Sequence, residues 1–378
     1  MNATETTLPT KTIGFIVNPV AGMGGAVGLK GTDGKAILLQ AIALGAKPVA
    51  SQRAKVFLTE LSPAKKTLKL IVGAGDMGEQ QAEKSSFNCK VIGEHKKETT
   101  SEDTQAIAKA MVDAGVDLLV FCGGDGTARD IFKAVDMKTP VLGVPTGVKM
   151  HSALFGVSPQ AAARVAIRFL WSELPLREAE VMDVDEQAFR EGHLSAELYG
   201  YTLSPYEQHL IQGNKMASPI TESEVENQAA IAVYIIEEMK PDTLYIVGPG
   251  TTTRTVADLL DQKKTLLGVD LLENKKIIVA DVNEKQILQA INGKATRIVV
   301  TPIGGQGFIF GRGNQQISAK VIRQVGLDKI TVIATKSKLD RFSSLRVDTG
   351  DLELDNMFRA NGIKVVIDYK TTREISIE

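Results

Sequence analysis

One stretch of the chain sets an acid among backbone groups suited to phosphate: Gly123-Gly124-Asp125-Gly126-Thr127. The apolar run Leu118-Leu119-Val120-Phe121 ahead of it reads as a buried parallel strand. Residues 128–135 behind it read as a helix. A strand, a glycine turn and a helix bring backbone N–H groups to the positive end of the helix, where a phosphate binds. An acid in such a turn repels phosphate unless it has a task of its own. Asp125 has two candidate tasks: holding Mg²⁺, or accepting the proton of an attacking hydroxyl. The structural alternative is a tight turn with a capping aspartate, and one glycine motif does not decide between them.

Other stretches have the same character. Asn18-Pro19 ends a strand at 12–17 and opens onto Gly22, Gly24 and Gly25. Gly73-Ala74-Gly75-Asp76-Met77-Gly78-Glu79 closes another strand and again carries an acid. Pro145-Thr146-Gly147-Val148-Lys149-Met150-His151-Ser152 follows a short strand at 141–144. Gly248-Pro249-Gly250-Thr251-Thr252-Thr253-Arg254 places three hydroxyls and a cation before a helix at 255–260, which suits an anion. Two polar glycine-rich stretches, around Gly305 and around Arg312 and Asn314, flank a strand at 308–310. Packing does not require them, so binding is the favoured reading. His151, Gly305, Arg312 and Asn314 are candidates for the substrate side, and Lys149, Arg254 and Arg312 for charge partners. No second His or Cys stands at ligand spacing from His151, so no protein metal centre is expected around it.

The elements that must position these residues alternate. Strands are expected at 12–17, 55–58, 69–72, 91–92, 118–121 and 141–144, with helices at 35–43, 100–114, 128–135 and 159–173. The alternation predicts an α/β fold, a Rossmann-like parallel sheet with helices on both faces. Ligands of such sheets lie outside the carboxyl ends of the strands, where Asn18, Asp76, Asp125 and Lys149 all fall. Beyond the helix at 159–173 the texture changes to antiparallel strands at 181–184 and 194–203. A loop at 203–221 and a helix at 222–239 follow. A mixed, β-rich run then has strands at 243–247, 266–272, 276–280, 297–300 and 308–310 and a helix at 286–291. After 317 the pattern returns to helix (319–325), strand (330–334), helix (352–361) and strand (363–369). The expected division is a nucleotide-binding α/β domain, 1–155 plus 317–378, and a second domain, 156–316, that closes the cleft.

At 378 residues the chain is long enough for two cores. A net charge of −1 and 5% aromatics leave no footprint for nucleic acid. Two cysteines provide neither a disulfide framework nor a metal quartet, and Cys122 reads as inert packing. No apolar run reaches membrane-spanning length and the first ten residues are polar, so a cytoplasmic protein without membrane contact is expected.

Together, Asn18-Pro19 with its glycine loop and GGDGT about a hundred residues later resemble the superfamily of NAD kinases, diacylglycerol kinases and sphingosine kinases. The strings GAGDMGE, GVPTGVKMHS, GPGTTTRT and GGQGFIFGRGNQQIS resemble the AcoX-like branch of the ATP-NAD kinase family. The resemblance spans most of the chain. It implies a two-domain kinase, a homo-oligomer (dimer or tetramer), with ATP and NAD as small-molecule substrates and Mg²⁺ as cofactor. It also implies that Asp125 acts as base on the 2′-hydroxyl of the NAD ribose. Gly123, Gly124, Gly126 and Thr127 would cradle phosphate. Asn18, Gly22, Gly24, Gly25, Gly75, Asp76, Thr146, Gly147 and Lys149 would line the nucleotide. Gly250, Thr251, Thr252 and Thr253 would stand in for the family's TGSTAY stretch. One departure is that the Asn-Glu or Asn-Asp pair that reads the adenine of NAD has no assigned counterpart in this sequence. Another small hydroxyl acceptor, or a nucleotide-binding regulator, therefore stays open. Asp125→Asn is expected to remove activity and leave folding and ATP binding intact.

Overall fold

The structure, a computed structural model, describes residues 10–29, 35–135, 137–146, 150–184, 196–207, 210–211, 222–265 and 267–378. They divide into two units. One comprises the described residues within Met1–Met23, Lys47–Asp185 and Ser195–Asn214, the other those within Gly24–Ala46, Glu186–Leu194 and Lys215–Glu378.

The first unit is built on five parallel strands: β1 (Lys11–Val17), β2 (Leu68–Gly73), β3 (Cys89–Ile92), β4 (Leu118–Gly123) and β5 (Val141–Pro145), in the order β3-β2-β1-β4-β5. Side chains of a strand point alternately to its two faces, and here both faces are covered. On one face Phe15, Val17, Val120, Cys122, Leu142 and Val144 pack with Phe57, Leu58 and Leu61 of α2 (Ala50–Leu61) and Ala162, Val165 and Ala166 of α6 (Pro159–Leu170). On the other, Ile16, Leu119, Phe121 and Val141 pack with Ile107 and Met111 of α4 (Ser101–Asp113) and Ala128 and Ile131 of α5 (Asp125–Ala134). Double coverage is why the central strands are apolar without alternation. Thr100 and Asp103 form a reciprocal capping box that starts α4. Helix α3 (Glu79–Lys84) follows β2, and α1 (Lys35–Ala43) belongs to the other unit.

The expected strand at 55–58 is instead the middle of α2. Its buried residues, Ala54, Phe57, Leu58 and Leu61, recur at helical spacing, which a four-residue window cannot display. The antiparallel pair is present as β6 (Leu176–Val184) and β7 (Ala196–Pro205). Both belong to the first unit, not to a second domain beginning near 156.

The second unit carries a seven-stranded sheet. Its strands are β8 (Leu244–Val247), β9 (Asp270–Glu273), β10 (Lys276–Val279), β11 (Thr296–Val300), β13 (Ile330–Ile333), β15 (Ile363–Asp368) and β16 (Thr371–Ile375), in the order β10-β9-β8-β11-β13-β15-β16. The inner four run parallel and the flanking pairs antiparallel. A small parallel pair, β12 (Phe308–Phe310) with β14 (Arg346–Val347), lies apart from it. Helices α7 (Glu222–Glu237) and α8 (Thr251–Leu259) cover one face through Ile231, Ile235 and Val256. Helices α9 (Glu284–Ala290), α10 (Ala319–Val325) and α12 (Leu352–Asn361) cover the other through Ile287, Val321, Ile322, Leu354 and Phe358. A short α11 (Lys336–Leu339) follows β13.

The tail therefore does not rejoin the first sheet, contrary to the expected grouping of 317–378 with 1–155. β13 pairs with β11 through Ile298 opposite Ile330, and with β15 through Val332 opposite Val365. Both sheets are built from the same strand–helix alternation. Texture alone thus says that a segment belongs to a parallel sheet, not to which one.

Candidate nucleotide site

In the first unit the strand order turns at β1 and β4. From β1 the sheet grows one way through β2 and β3, and from β4 the other way through β5. A crevice opens outside the carboxyl ends of two such strands, the usual ligand position in open α/β sheets. Two predicted loops meet there. Asn18 follows β1, and its N–H donates to the Cys122 carbonyl at 3.0 Å. Its side-chain oxygen accepts from the Val20 N–H at 3.2 Å, and its side-chain amide donates to the Thr127 hydroxyl at 2.9 Å. The Asn18 loop and the GGDGT turn are thereby joined.

The glycines of this edge differ in why they are glycine. Gly22 has φ +80°, and a Cβ on it would stand 2.2 Å from the Thr146 carbonyl oxygen. A Cβ on Gly123 would stand 2.4 Å from that of Thr127. Gly124, ahead of α5, would meet nothing within 4 Å. Its Cβ-free face is therefore open, as a close-lying ligand requires. No side chain caps α5, so the first-turn N–H groups of Asp125, Gly126 and Thr127 lack the cap that would otherwise occupy one of them.

Asp125 opens α5 and is buried, 9% exposed. One carboxylate oxygen accepts from the backbone N–H of His151 at 2.6 Å and lies 3.2 Å from the His151 Nδ1. The other accepts from the backbone N–H of Ser152 at 2.9 Å. Burial pushes the carboxyl's pKa up, but the hydrogen bonds and the ring of His151, with Ser152, outweigh it and leave it below the ordinary value. Asp125 is therefore an ionised bracket that holds the loop after β5, and it is not the helix cap. The backbone N–H groups of His151 and Ser152, the His151 ring and the Ser152 side chain all engage the carboxylate. Thr146, on the same loop, is buried with its hydroxyl lacking a hydrogen-bond partner among the described residues. Gly147 and Lys149 lie outside the described residues.

The remaining predicted residues separate. Gly75 and Asp76 form a turn at the end of β2, with Asp76 exposed. The acid at work there is Glu79, which accepts from the Gly75 N–H at 2.7 Å and pairs with His95 at 3.1 Å. Its distance of four residues from Gly75 was the available signal. Gly24 and Gly25 belong to the second unit. There the Gly24 carbonyl accepts from Leu29 at 2.9 Å, the Gly25 carbonyl from Gly28 at 3.2 Å, and the neighbouring Ala26 carbonyl from Glu284 at 3.1 Å.

In the second unit α8 begins at Thr251, so Thr251, Thr252, Thr253 and Arg254 are its first turn and not the loop before it. Gly250 precedes it with φ +127°, and a Cβ there would stand 2.4 Å from the Thr301 methyl carbon. Thr253 donates from its hydroxyl to the carbonyls of Gly248 and Gly250, at 2.8 and 2.9 Å. Thr252 is 1% exposed with an unpartnered hydroxyl. Arg254 is half-exposed and faces Asp258 one turn on. Arg312 is buried against Asp348 at 3.4 Å and over the Phe308 ring, so it serves packing more than an open anion site. Asn314 is fully buried, its amide donating to the Ile309 carbonyl at 2.8 Å. A Cβ on Gly305 would meet nothing within 4 Å.

No cluster of three His, Cys, Asp or Glu side chains suited to a metal occurs among the described residues. Both Asp125 oxygens face N–H donors. This donor set does not fit Mg²⁺ held by Asp125.

No individually curated protein matches the chain. Two family models do. The ATP-NAD kinase N-terminal domain matches residues 13–173, from within β1 through the other four strands of the first sheet and the Asp125 site. The ATP-NAD kinase C-terminal domain matches residues 241–373, from the start of β8 into β16. The two matches cover more than three quarters of the sequence and meet the chain in the family's own order, so the chain belongs to the ATP-NAD kinase family.

Proposed function

We propose that the protein transfers a phosphoryl group from ATP to the 2′-hydroxyl of NAD, giving NADP. The observation that carries this reading is Asp125: an ionised, buried carboxylate at the head of α5, at the turn of the first sheet. A substrate hydroxyl that took the place of the Ser152 side chain at the carboxylate would be oriented by it and would hand it a proton. Phosphoryl transfer passes through a loose transition state, so positioning and charge compensation matter more than a strong base. A carboxyl held below its ordinary pKa is suited to this role, because it orients the hydroxyl early and need accept the proton only late. The uncapped N–H groups of α5 and the open face of Gly124 would take phosphate oxygens. The Asn18–Thr127 bond would fix the spacing between the two loops.

Purified protein with NAD and ATP, or with NAD and polyphosphate, should form NADP in a coupled dehydrogenase assay. Absence of NADP with both donors would remove NAD as acceptor and leave a family kinase that acts on another hydroxyl.

A further inference from the structure

The second unit has its own carboxyl edge, formed by the ends of β8, β11 and β13. Three residues gather there. Gly250, ahead of α8, touches Thr301 at the end of β11 closely enough to exclude a Cβ. The Lys338 ammonium, in α11 after β13, donates to the Thr301 hydroxyl at 3.3 Å. Lys338 thus stands beside the first turn of α8, which no side chain caps. That turn also holds the buried, unpartnered hydroxyl of Thr252.

Lys338 is poorly compensated. An ammonium has three donors, and among the described residues this one makes a single long hydrogen bond. Burial lowers its pKa to about 8; the Glu224 carboxylate opposes the shift and the Arg341 guanidinium adds to it. Glu224 is otherwise engaged, since its oxygens accept from the hydroxyls of Thr335 and Ser337. Asn227, one turn along α7, accepts from the Lys336 N–H at 3.0 Å and donates to the Ile367 carbonyl at 2.8 Å. Helix α7 therefore clamps the segment that carries Lys338. A half-buried cation kept short of partners by a rigid support is built to receive an anion.

We propose that Lys338, with Thr301 and the first turn of α8, forms an oxyanion site that takes a phosphate group of a nucleotide. The phosphate could belong to ATP or to NAD, and this choice alone rests on the phosphotransferase reading. Direct contact with a phosphate oxygen would favour the charged lysine, and the added donors of the α8 turn would share the load.

ATP and NAD should be titrated separately against wild type, Lys338→Gln and Lys338→Arg, with melting temperatures recorded. For the ligand whose phosphate sits there, Lys338→Gln should lose about ten- to a hundredfold in affinity. Wild-type affinity for that ligand should also weaken as the pH is raised through about 8, because the ammonium loses its proton. The affinity of Lys338→Arg should stay flat over the same range, since arginine remains charged. If Lys338→Gln does not fold, the comparison of wild type with Lys338→Arg decides. Unchanged affinity for both ligands in Lys338→Gln, or identical pH dependence in wild type and Lys338→Arg, would overturn the proposal. Lys338-dependent ATP binding in a protein that makes no NADP would keep this site and discard the NAD reading. NADP formation that is indifferent to Lys338 would do the reverse.

Discussion

The side-chain amide of Asn18 reaches the hydroxyl of Thr127 at 2.9 Å across more than a hundred residues of sequence. It is a direct side-chain link between the loop after β1 and the GGDGT turn after β4. The Asn18 oxygen is simultaneously committed to the Val20 N–H, which fixes the amide's orientation. The two strands already neighbour each other, so the bond costs little chain entropy. Its effect is on the loops, whose ends it keeps at one spacing.

Asn18 and Thr127 should therefore be energetically coupled. Asn18→Ala, Thr127→Val and the double variant should give a coupling of about 0.5–1.5 kcal/mol in denaturant unfolding. Additive effects would mean that the bond does not bear on stability.

Gly22 and Gly124 should respond oppositely to alanine. Gly22→Ala puts a Cβ onto the Thr146 carbonyl at a left-handed φ and should destabilise by more than about 1 kcal/mol. Gly124→Ala meets no atom and has an extended backbone, so its melting temperature should stay near wild type. Its new methyl group would occupy the face left open to ligand, so its ATP affinity should fall. Equal melting temperatures for the two variants would contradict the steric difference.

Asp125→Asn should not be silent in folding, contrary to the sequence expectation. Both carboxylate oxygens accept backbone N–H groups, so an asparagine must turn its NH₂ toward one of them. The mismatch should cost about 1–3 kcal/mol, read by denaturant unfolding. Turnover should fall by about 10²–10⁴ if the carboxylate also handles the proton. Because the folded pKa is depressed, the carboxylate's contribution to stability is complete above the ordinary carboxylate range. It is lost as pH falls through the lower folded value. The unfolding free energy of Asp125→Asn should consequently depend less on pH in the acid range than that of wild type.

Lys264 and Asp270 form a pair 3.4 Å apart with both side chains 1% exposed. The ammonium also donates to the Thr265 and Gly268 carbonyls, and Asp270 accepts from the Thr265 N–H, the Thr265 hydroxyl and the Asp281 N–H. Every partner is structural, and the pair pins the chain as it enters β9. Lys264→Met should cost about 3–5 kcal/mol, because Asp270 would remain buried without its counter-ion. Unfolding by urea would test this, and a loss below 1 kcal/mol would refute it.

Legibility followed how local each cause is. Val120 and Phe121 announce a doubly covered strand because both neighbours on the sequence are apolar, and the glycine turn behind them is equally local. The α2 segment misled because Lys55 and Val56 sit between its buried residues and four residues do not span a helical repeat. Asp125 was legible as an important acid, but not as a bracket, since its partners His151 and Ser152 lie 26 and 27 residues away. Arg254 and Arg312 looked like anion ligands until Asp258 and Asp348 accounted for them. Lys338 offered no signal at all: its character comes from Thr301 and its half-buried setting, and neither is written near it.

The order of strands in the two sheets has a consequence for synthesis on the ribosome. The five strands of the first sheet are all present once residue 145 has emerged, so that sheet can close while the rest is still being made. The seven-stranded sheet cannot. β11 waits about thirty residues for β13, and β13 about thirty more for β15. During each interval an inner parallel strand stands as a naked apolar edge. Only β16, with its exposed run Thr371-Thr372-Arg373-Glu374, ends the series with a charged border that discourages pairing with other chains. A stalled or clipped chain would present the sticky edge in place of the guarded one.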